Sequence, residues 1–308
     1  MSLPFLRLGT RGSPLALWQA DAVAAALART HNLPAESIER VVVRTSGDRI
    51  RDRPLADAGG KGLFTKELDE ALLDGRIDLA AHSAKDVPSF LTDGIALGGC
   101  LDREDSRDAL VAPRHLRFDR LPAGAVVGTA SVRRAALIRH RRPDLGTVLL
   151  RGNVGTRLRK VAEGECDATV LALAGLRRLG REAAADEVLD PAIFPPALAQ
   201  GIVAVTVRAG DERVAPLVAA ASHLPTLTVL NAERALLAAL DGSCRTPIAG
   251  GATLAGDRLH LRGLVIAPDG SALWEAESEA AAGEAGALGA RLGAELLGRV
   301  PAAVLRQG

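Results

Sequence analysis

The chain has few aromatic residues and almost no net charge. Its 308 residues include no tyrosine, two tryptophans and five phenylalanines, and the formal net charge is +1. Proteins that bind nucleic acids or membrane surfaces usually show a basic excess, and those that hold single strands also use aromatic side chains for base stacking. We therefore expect a protein that binds neither nucleic acid nor membrane.

Long apolar runs and paired cysteines are missing too. No stretch approaches the roughly 20 apolar residues that span a bilayer, and residues 1–10 lack the apolar core of a signal peptide. Cys100, Cys166 and Cys244 are widely spaced and form neither a CxxC motif nor another zinc-binding pattern. Such an odd, sparse set predicts reduced thiols, no metal site and a cytoplasmic location.

What is present is the composition of an ordinary globular protein, with 48% hydrophobic and 24% charged residues. Segments typical of strands alternate with segments typical of helices up to about residue 207, which predicts mostly parallel sheets. One helix is expected to begin at Ser13-Pro14, with serine as the N-cap, and another to run from about Ser131 to Arg141. The pattern predicts an α/β fold with two such domains around a cleft.

The last part of the chain has a different pattern. A helix is predicted over Val229 to Leu240, followed by short strands around 259–261 and 272–274 that a Pro268-Asp269-Gly270 turn joins. An Ala/Leu/Gly helix is expected over roughly 280–298. These features predict a small C-terminal α+β domain with a three-stranded sheet.

Cationic side chains follow several predicted strands. Ligands of open α/β sheets bind beyond the carboxyl ends of the strands, so cations placed there predict a ligand with many negative charges. No Walker phosphate-binding motif is present, and multiple carboxylates fit as well as phosphate does. Taken alone, each arginine is equally compatible with a surface position or an ion pair. The cations in question are Arg11, Lys85, Arg133, Arg134, Arg151 and Arg178.

Two other side chains could take part in chemistry. Asp86 lies one residue after Lys85 among these cations, which favour its ionised form and suit it to stabilising a developing positive charge. A simple ion pair with Lys85 is the alternative. Cys244 lies in a loop beside Arg245, which favours the thiolate. Because no histidine is adjacent, Cys244 predicts permanent attachment of a group rather than turnover, with an inert thiol as the alternative.

Taken in order along the chain, these motifs closely resemble the porphobilinogen deaminase (hydroxymethylbilane synthase) family. The resemblance covers nearly the whole chain and weakens after the last helix. The matching stretches are Thr10-Arg11-Gly12-Ser13-Pro14-Leu15-Ala16-Leu17, Gly59-Gly60-Lys61-Gly62-Leu63-Phe64, His82-Ser83-Ala84-Lys85-Asp86-Val87-Pro88, Arg103-Glu104-Asp105, Gly128-Thr129-Ala130-Ser131-Val132-Arg133-Arg134, Leu150-Arg151-Gly152-Asn153-Val154-Gly155-Thr156-Arg157-Leu158, Leu173-Ala174-Gly175-Leu176-Arg177-Arg178-Leu179-Gly180 and Ala232-Glu233-Arg234.

The resemblance implies a transferase that joins four porphobilinogen molecules head to tail, releases ammonia, and then frees hydroxymethylbilane by adding water. It implies a dipyrromethane cofactor held by a thioether to Cys244, a catalytic aspartate at Asp86 and a lid lysine at Lys61. The positions that match the family's cofactor- and substrate-contacting residues are Arg11, Ser13, Lys85, Thr129, Ser131, Arg133, Arg134, Arg151, Arg157 and Arg178.

The resemblance also implies three domains, of which the first two have the topology of periplasmic binding proteins. We expect a monomer, because nothing in the sequence demands more than one chain. Domain 1 comprises residues 1–101 and 202–219 with the lid loop and Asp86, domain 2 comprises 106–198, and domain 3 comprises 224–308 with Cys244. The lid corresponds to residues 48–62, for which a solvated connector without a role is the alternative.

Some positions depart from the family pattern. Asp57 stands where relatives often have a second lid lysine, Ala199-Gln200-Gly201 replaces Gly-Gln-Gly, and Thr206 stands where an acid is common. Two other classes of protein compete with the enzyme. The first is a two-lobed solute-binding protein, which the missing export signal and the Cys244 loop disfavour. The second is a nucleic-acid binder, which charge and aromatic content disfavour.

Overall fold

A computed structural model describes residues 5–49, 62–113, 117–240 and 246–306 of the chain. The described residues form two compact units. The first unit contains residues 5–49, 62–104 and 202–227, and the second contains the remainder. No helix within these ranges has both the length and the apolar character needed to cross a membrane.

Strands and helices alternate along most of the described chain. The strands are β1 (Leu6–Thr10), β2 (Ile38–Val42), β3 (Leu79–Ser83), β4 (Ile95–Cys100), β5 (Asp108–Val111), β6 (Val126–Gly128), β7 (Gly146–Val148), β8 (Ala168–Ala172), β9 (Glu187–Val188), β10 (Val203–Arg208), β11 (Ile248–Ala255), β12 (Arg258–Ile266) and β13 (Leu273–Ala281). The α-helices are α1 (Pro14–His31), α2 (Ser46–Arg49), α3 (Lys66–Leu73), α4 (Val132–Arg141), α5 (Val154–Ala162), α6 (Leu173–Arg178), α7 (Ala215–Ala220), α8 (Leu224–Ala239), α9 (Ala285–Arg299) and α10 (Ala302–Arg306).

The first unit is built on a five-stranded sheet of order β2-β1-β3-β10-β4. β1 pairs in parallel with β2 and β3, whereas β10 pairs antiparallel with both β3 and β4. The sheet is therefore mostly parallel, as predicted, with one reversed strand. Its apolar side chains pack against α1, so that Leu6, Leu8 and Leu79 share a core with Val23 and Leu27.

Helix α1 begins where the sequence predicts. Ser13 is the N-cap, its Oγ accepts a hydrogen bond of 3.2 Å from the Ala16 N–H, and Pro14 follows it as the first helical residue. Proline fits there because the first N–H of a helix has no partner within the helix. The helix ends at Asn32, whose left-handed backbone (φ 52) turns the chain toward β2.

The second unit contains a five-stranded sheet of the same form, with order β7-β6-β8-β5-β9. β6 pairs in parallel with β7 and β8, and β5 is the reversed strand, antiparallel to β8 and β9. Asp108, the first residue of β5, pairs with Ala172, the last residue of β8. The reversal therefore places the start of β5 at the carboxyl edge of the parallel strands.

A three-stranded antiparallel sheet, β11-β12-β13, also belongs to the second unit, and it confirms the sheet predicted for the C-terminal part. Ala249, Leu264 and Ile266 of this sheet share a hydrophobic core with Val127 and Leu137, which lie on β6 and α4.

The helix predicted over roughly 280–298 begins later than expected, at Ala285. Residues 273–281 form β13, because cross-strand pairing with β12 overrides the helical preference of the alanines.

Helix α9 lies against α8 so closely that glycine is required at the contact. A Cβ built on Gly289 would overlap the carbonyl oxygen of Ala232 and lie 2.7 Å from the Cβ of Ala235. Near the end of the same helix, a Cβ on Gly298 would meet nothing within 4 Å. The two glycines therefore form a matched pair for substitution.

We expect Gly289→Ala to lower the free energy of unfolding by about 1–3 kcal/mol, because the added methyl group forces the helices apart. Gly298→Ala is expected to leave the free energy of unfolding unchanged or to raise it by up to about 1 kcal/mol, because alanine favours the helix. Urea unfolding followed by circular dichroism would measure both. Equal effects of the two substitutions would contradict the close packing of α8 and α9.

Candidate functional site

In the first unit, four of the predicted site residues lie at the carboxyl edge of the sheet. Arg11 and Ser13 follow β1, and Lys85 and Asp86 follow the neighbouring parallel strand β3 in a 3₁₀ turn over Ala84–Asp86. The turn is fixed by backbone hydrogen bonds, since the Ala84 N–H donates to Ile202 and the Val87 N–H donates to Ala84. Lys85 is exposed and Asp86 is partly exposed.

The Arg11 side chain lies over an aromatic ring. Its guanidinium carbon is 4.0 Å from the centroid of the Phe64 ring, which is a cation–π distance. Stacking of this kind holds a long side chain in one orientation while leaving the edge of the guanidinium available for hydrogen bonds. The sequence contained Phe64 in a family motif but did not predict this contact.

His82 is a buried residue of the apolar strand β3. Its Nε2 lies 2.9 Å from Oγ1 of Thr206 on β10, and its side chain is almost fully buried. Burial, with a smaller contribution from the charge of Arg11, lowers the pKa of His82 from 6.5 to about 4. Thr206 therefore partners a neutral imidazole, which needs no acid at that position.

The remaining described site residues lie at the carboxyl edge of the sheet in the second unit. Thr129 and Ser131 follow β6, Arg151 and Arg157 flank the start of α5 after β7, and Arg178 ends α6 after β8. Several of these side chains make hydrogen bonds to the backbone of this unit. Thr129 Oγ1 accepts from the Ser131 N–H at 3.1 Å, Arg157 Nε donates to the Gly152 carbonyl at 2.8 Å, and Arg178 Nη2 donates to the Gly201 carbonyl at 2.6 Å.

Helices α4 and α5 carry positive charge where helices normally prefer negative charge. Ser131 caps α4 and Asn153 caps α5. The first turn of α4 contains Arg133 and Arg134, the first turn of α5 contains Arg157, and neither turn has an acidic residue. Since a cation near a helix N-terminus costs roughly 0.3–1 kcal/mol, this arrangement is unfavourable for the helix and favourable for an anion bound at its end.

Arg133 and Arg134 are almost fully buried, and both bind Asp108. Arg133 Nη2 and Arg134 Nη2 each lie 2.7 Å from a different carboxylate oxygen of Asp108, and Gln200 Nε2 donates to the same carboxylate at 2.8 Å. Burial opposes ionisation of Asp108, but the two guanidinium groups outweigh it and hold the pKa of Asp108 far below its usual range. Asp108 was not among the predicted site residues, although an acid at the start of a buried strand was a signal.

Hydrogen bonds to two buried carboxylates, Asp108 and Glu233, hold the segment around Gln200. The Ala199 N–H donates to the carboxylate of Glu233, which is fully buried and also accepts from the Ala252 N–H at 2.6 Å. Ala199 has a left-handed backbone with φ 62, a conformation that glycine adopts more easily. Alanine at this position therefore carries some backbone strain that glycine would avoid.

The structure thus places the predicted residues in two groups, one at the carboxyl edge of each five-stranded sheet. Cys244, Lys61 and Asp57 lie outside the described residues. Cys100 and Cys166 are both buried, and burial raises the pKa of Cys100 to about 11 and also raises that of Cys166. Within the described part of the chain, no group of three or more His, Cys, Asp or Glu residues could hold a metal ion.

Comparison with known proteins matches most of the chain to two family models. One, described as "Porphobilinogen deaminase, dipyromethane cofactor binding domain", matches residues 6–216, and the other, described as "Porphobilinogen deaminase, C-terminal domain", matches residues 227–298. The chain is also 53% identical over 289 residues to the porphobilinogen deaminases of Nitrobacter hamburgensis and Nitrobacter winogradskyi. Each alignment covers 94% of this chain and 92% of the relative.

Solved structures give a weaker likeness. The periplasmic VFT2 domain of BvgS from Bordetella pertussis is 20% identical, with a TM-score of 0.42 over 71% of this chain and 87% of that chain. A likeness of this size says nothing about ligand or activity.

We expect the His82 imidazole to stay neutral down to about pH 5. The folded pKa of about 4 lies below the ~6.5 of an unfolded chain, so the unfolded state binds the extra proton as the pH falls. His82 therefore does not reduce the free energy of unfolding above pH 6.5, and it reduces the free energy of unfolding by about 3 kcal/mol as the pH falls to 4.

NMR titration of the imidazole and urea unfolding at several pH values would measure the two effects. His82→Gln should remove this part of the pH dependence, whereas His31→Gln, at the partly exposed end of α1, should keep it. An imidazole that titrates near pH 6.5 would contradict the prediction.

Proposed function

The chain belongs to the porphobilinogen deaminase family, and from that membership we propose how its own residues carry out the reaction. Four porphobilinogen molecules are joined head to tail with loss of one ammonia each, and water then releases hydroxymethylbilane. When bound, dipyrromethane supplies the free α-carbon onto which the first unit is added. The residues of this chain bind the acidic side chains of the pyrroles and stabilise the charge that develops.

The observation that carries the proposal is the charge at the helix ends of the second unit. Every pyrrole ring of this substrate bears an acetate and a propionate, so the growing chain is a polycarboxylate. Guanidinium groups bind carboxylates through paired hydrogen bonds, and free N–H groups at a helix N-terminus add further donors. The basic first turns of α4 and α5, together with Arg151 and Arg178, fit a ligand of this chemistry.

We assign Asp86 the central chemical role. The 3₁₀ turn after β3 holds it at the sheet edge beside Lys85 and in line with the loop that carries Arg11. Its carboxylate hydrogen-bonds the pyrrole N–H of the substrate and stabilises the cation left when the aminomethyl group loses ammonia. A fixed negative charge lowers the barrier of such a step because it needs no reorganisation as the cation forms.

The proposal also covers the cofactor cysteine, the lid lysine, the division into domains and the oligomeric state. Cys244 holds dipyrromethane through a thioether, and Lys61 is the lid lysine. Residues 1–101 with 202–219, residues 106–198 and residues 224–308 act as three domains. The enzyme works as a cytoplasmic monomer on its small-molecule substrate, without nucleic acid or membrane, and light scattering would give the mass of one chain.

Asp86→Asn is expected to fold and to carry the cofactor mass but to lose turnover by about a hundredfold or more, because the amide cannot neutralise the developing cation. Asp93→Asn changes an exposed aspartate in the same unit and should keep wild-type turnover. The measurement is hydroxymethylbilane formation from porphobilinogen, with the intact mass recorded for each protein. Turnover of Asp86→Asn close to wild type would remove Asp86 from the mechanism.

Cys244→Ala is expected to lack the added mass of two porphobilinogen units less two ammonia that the wild-type protein carries. Cys100→Ala, which alters a buried thiol at the end of β4, should keep that mass. Intact-mass spectrometry and colour with Ehrlich's reagent would measure both. A wild-type protein with no added mass, which binds an acidic solute reversibly, would favour the solute-binding alternative instead.

A further inference from the structure

We propose that Asp108 is a positioning residue for ligand binding, which holds Arg133 and Arg134 in place and cancels one of their two charges. The inference rests on the proposed function, because it concerns how this edge of the second unit binds the carboxylates of the pyrroles. Asp108 itself touches the two arginines and Gln200 rather than ligand. Its effect on binding is therefore exerted through Arg133 and Arg134.

In this cluster a single carboxylate lies between two guanidinium groups and accepts hydrogen bonds from both. Oδ2 of Asp108 accepts from Arg133 Nη2 at 2.7 Å and from Arg134 Nε at 3.3 Å, and Oδ1 accepts from Arg134 Nη2 at 2.7 Å. Arg133 Nη1 also donates to the Pro195 carbonyl at 2.7 Å. Each guanidinium is held by at least two hydrogen bonds, so neither can rotate independently of Asp108.

The position of the cluster links it to the predicted binding edge. β5 runs antiparallel to β8, and its first residue, Asp108, pairs with the last residue of β8. Arg133 and Arg134 form the start of α4, directly after β6. All three residues therefore lie where the carboxyl ends of the parallel strands meet, which is the ligand-binding edge of sheets of this type.

The cluster carries a positive charge that no group within it compensates, and such a charge attracts an anion. Two guanidinium groups and one carboxylate leave a net charge of +1 in a buried place. Nε of Arg133 is buried and lacks a hydrogen-bond partner among the described residues, whereas buried donors are nearly always paired. A carboxylate of the ligand would neutralise the remaining charge.

The first unit contains a second buried carboxylate between arginines, which serves as a control for the loss of stability that removing such a group causes. Asp78 is also buried, and it accepts from Arg7 Nη2 at 3.1 Å and from Arg213 Nη2 at 2.9 Å. Asp78 precedes β3, so it lies at the amino end of that strand, opposite the edge that carries Lys85 and Asp86. Loss of Asp78 should weaken folding without any effect on ligand binding.

The test compares Asp108→Asn with Asp78→Asn and Asp108→Glu in the full-length protein. Melting temperature, cofactor occupancy by intact mass, and KM and kcat for porphobilinogen would be measured for each. Both Asn variants should melt at lower temperature than the wild type. Only Asp108→Asn should also lower cofactor occupancy or raise KM by about tenfold or more, with a smaller change in kcat, and Asp108→Glu should recover part of the loss.

A second variant covers the case in which Asp108→Asn does not fold. Asp108→Asn combined with Arg133→Gln keeps the net charge of the cluster at +1 but leaves Arg134 without its carboxylate anchor. We expect it to fold better than the single variant and still to show reduced cofactor occupancy or a raised KM. Wild-type occupancy and KM in this double variant would overturn the inference, as would equal changes in Asp108→Asn and Asp78→Asn.

Failure of the proposed function gives a different result. If the wild-type protein carries no added mass and does not consume porphobilinogen, the proposed function is wrong whatever the variants do. If the wild type is active and the Asp108 variants bind normally, only the role of Asp108 is wrong.

Discussion

The carboxylate of Asp108 holds two arginines inside the second unit, at the edge where the parallel strands of its sheet end. Arg133 and Arg134 occupy the first turn of α4, where positive charge is unfavourable, and they are buried as well. A buried charge is tolerated only when it is paired and hydrogen-bonded. Removing one partner from such a group typically costs about 3–5 kcal/mol, so the cluster fixes the arrangement of β5 and α4 along with its own side chains.

The two five-stranded sheets have the same form. In each sheet the fourth strand is the reversed one, β10 in the first unit and β5 in the second. The reversed strand starts at the edge where its parallel neighbours end. It therefore adds backbone and side-chain groups to that edge, as Asp108 does in the second unit and as the Ile202 carbonyl does when it accepts from Ala84 in the first.

The sequence predicted the features that depend on neighbouring residues. The starts of α1 and α4 followed from Ser13 and Ser131, because an N-cap acts within one turn of helix. The strand ends that carry Arg11 and Lys85 followed from apolar runs that break at a loop. The α/β class and the three-stranded sheet followed from the order of these elements.

Features that depend on distant residues were not predictable in this way. Asp108 meets Arg133 and Arg134 only because β5 is inserted beside β8, and nothing in the local sequence specifies that pairing. β13 was assigned partly to a helix because its alanines favour helix, whereas its partners Arg258 and Arg262 lie on β12. The burial of His82 against Thr206 likewise joins strands that are 124 residues apart.

The strand order of the first sheet has a consequence for protein synthesis. β4 ends at Cys100 and is joined to the sheet only through β10, which begins at Val203. At roughly 5–20 residues per second, translation of the intervening chain takes on the order of 5–20 s. During that time β3 and β4 each have an edge that their later partner β10 does not yet cover, and unpaired edges of this kind are prone to pair with other chains.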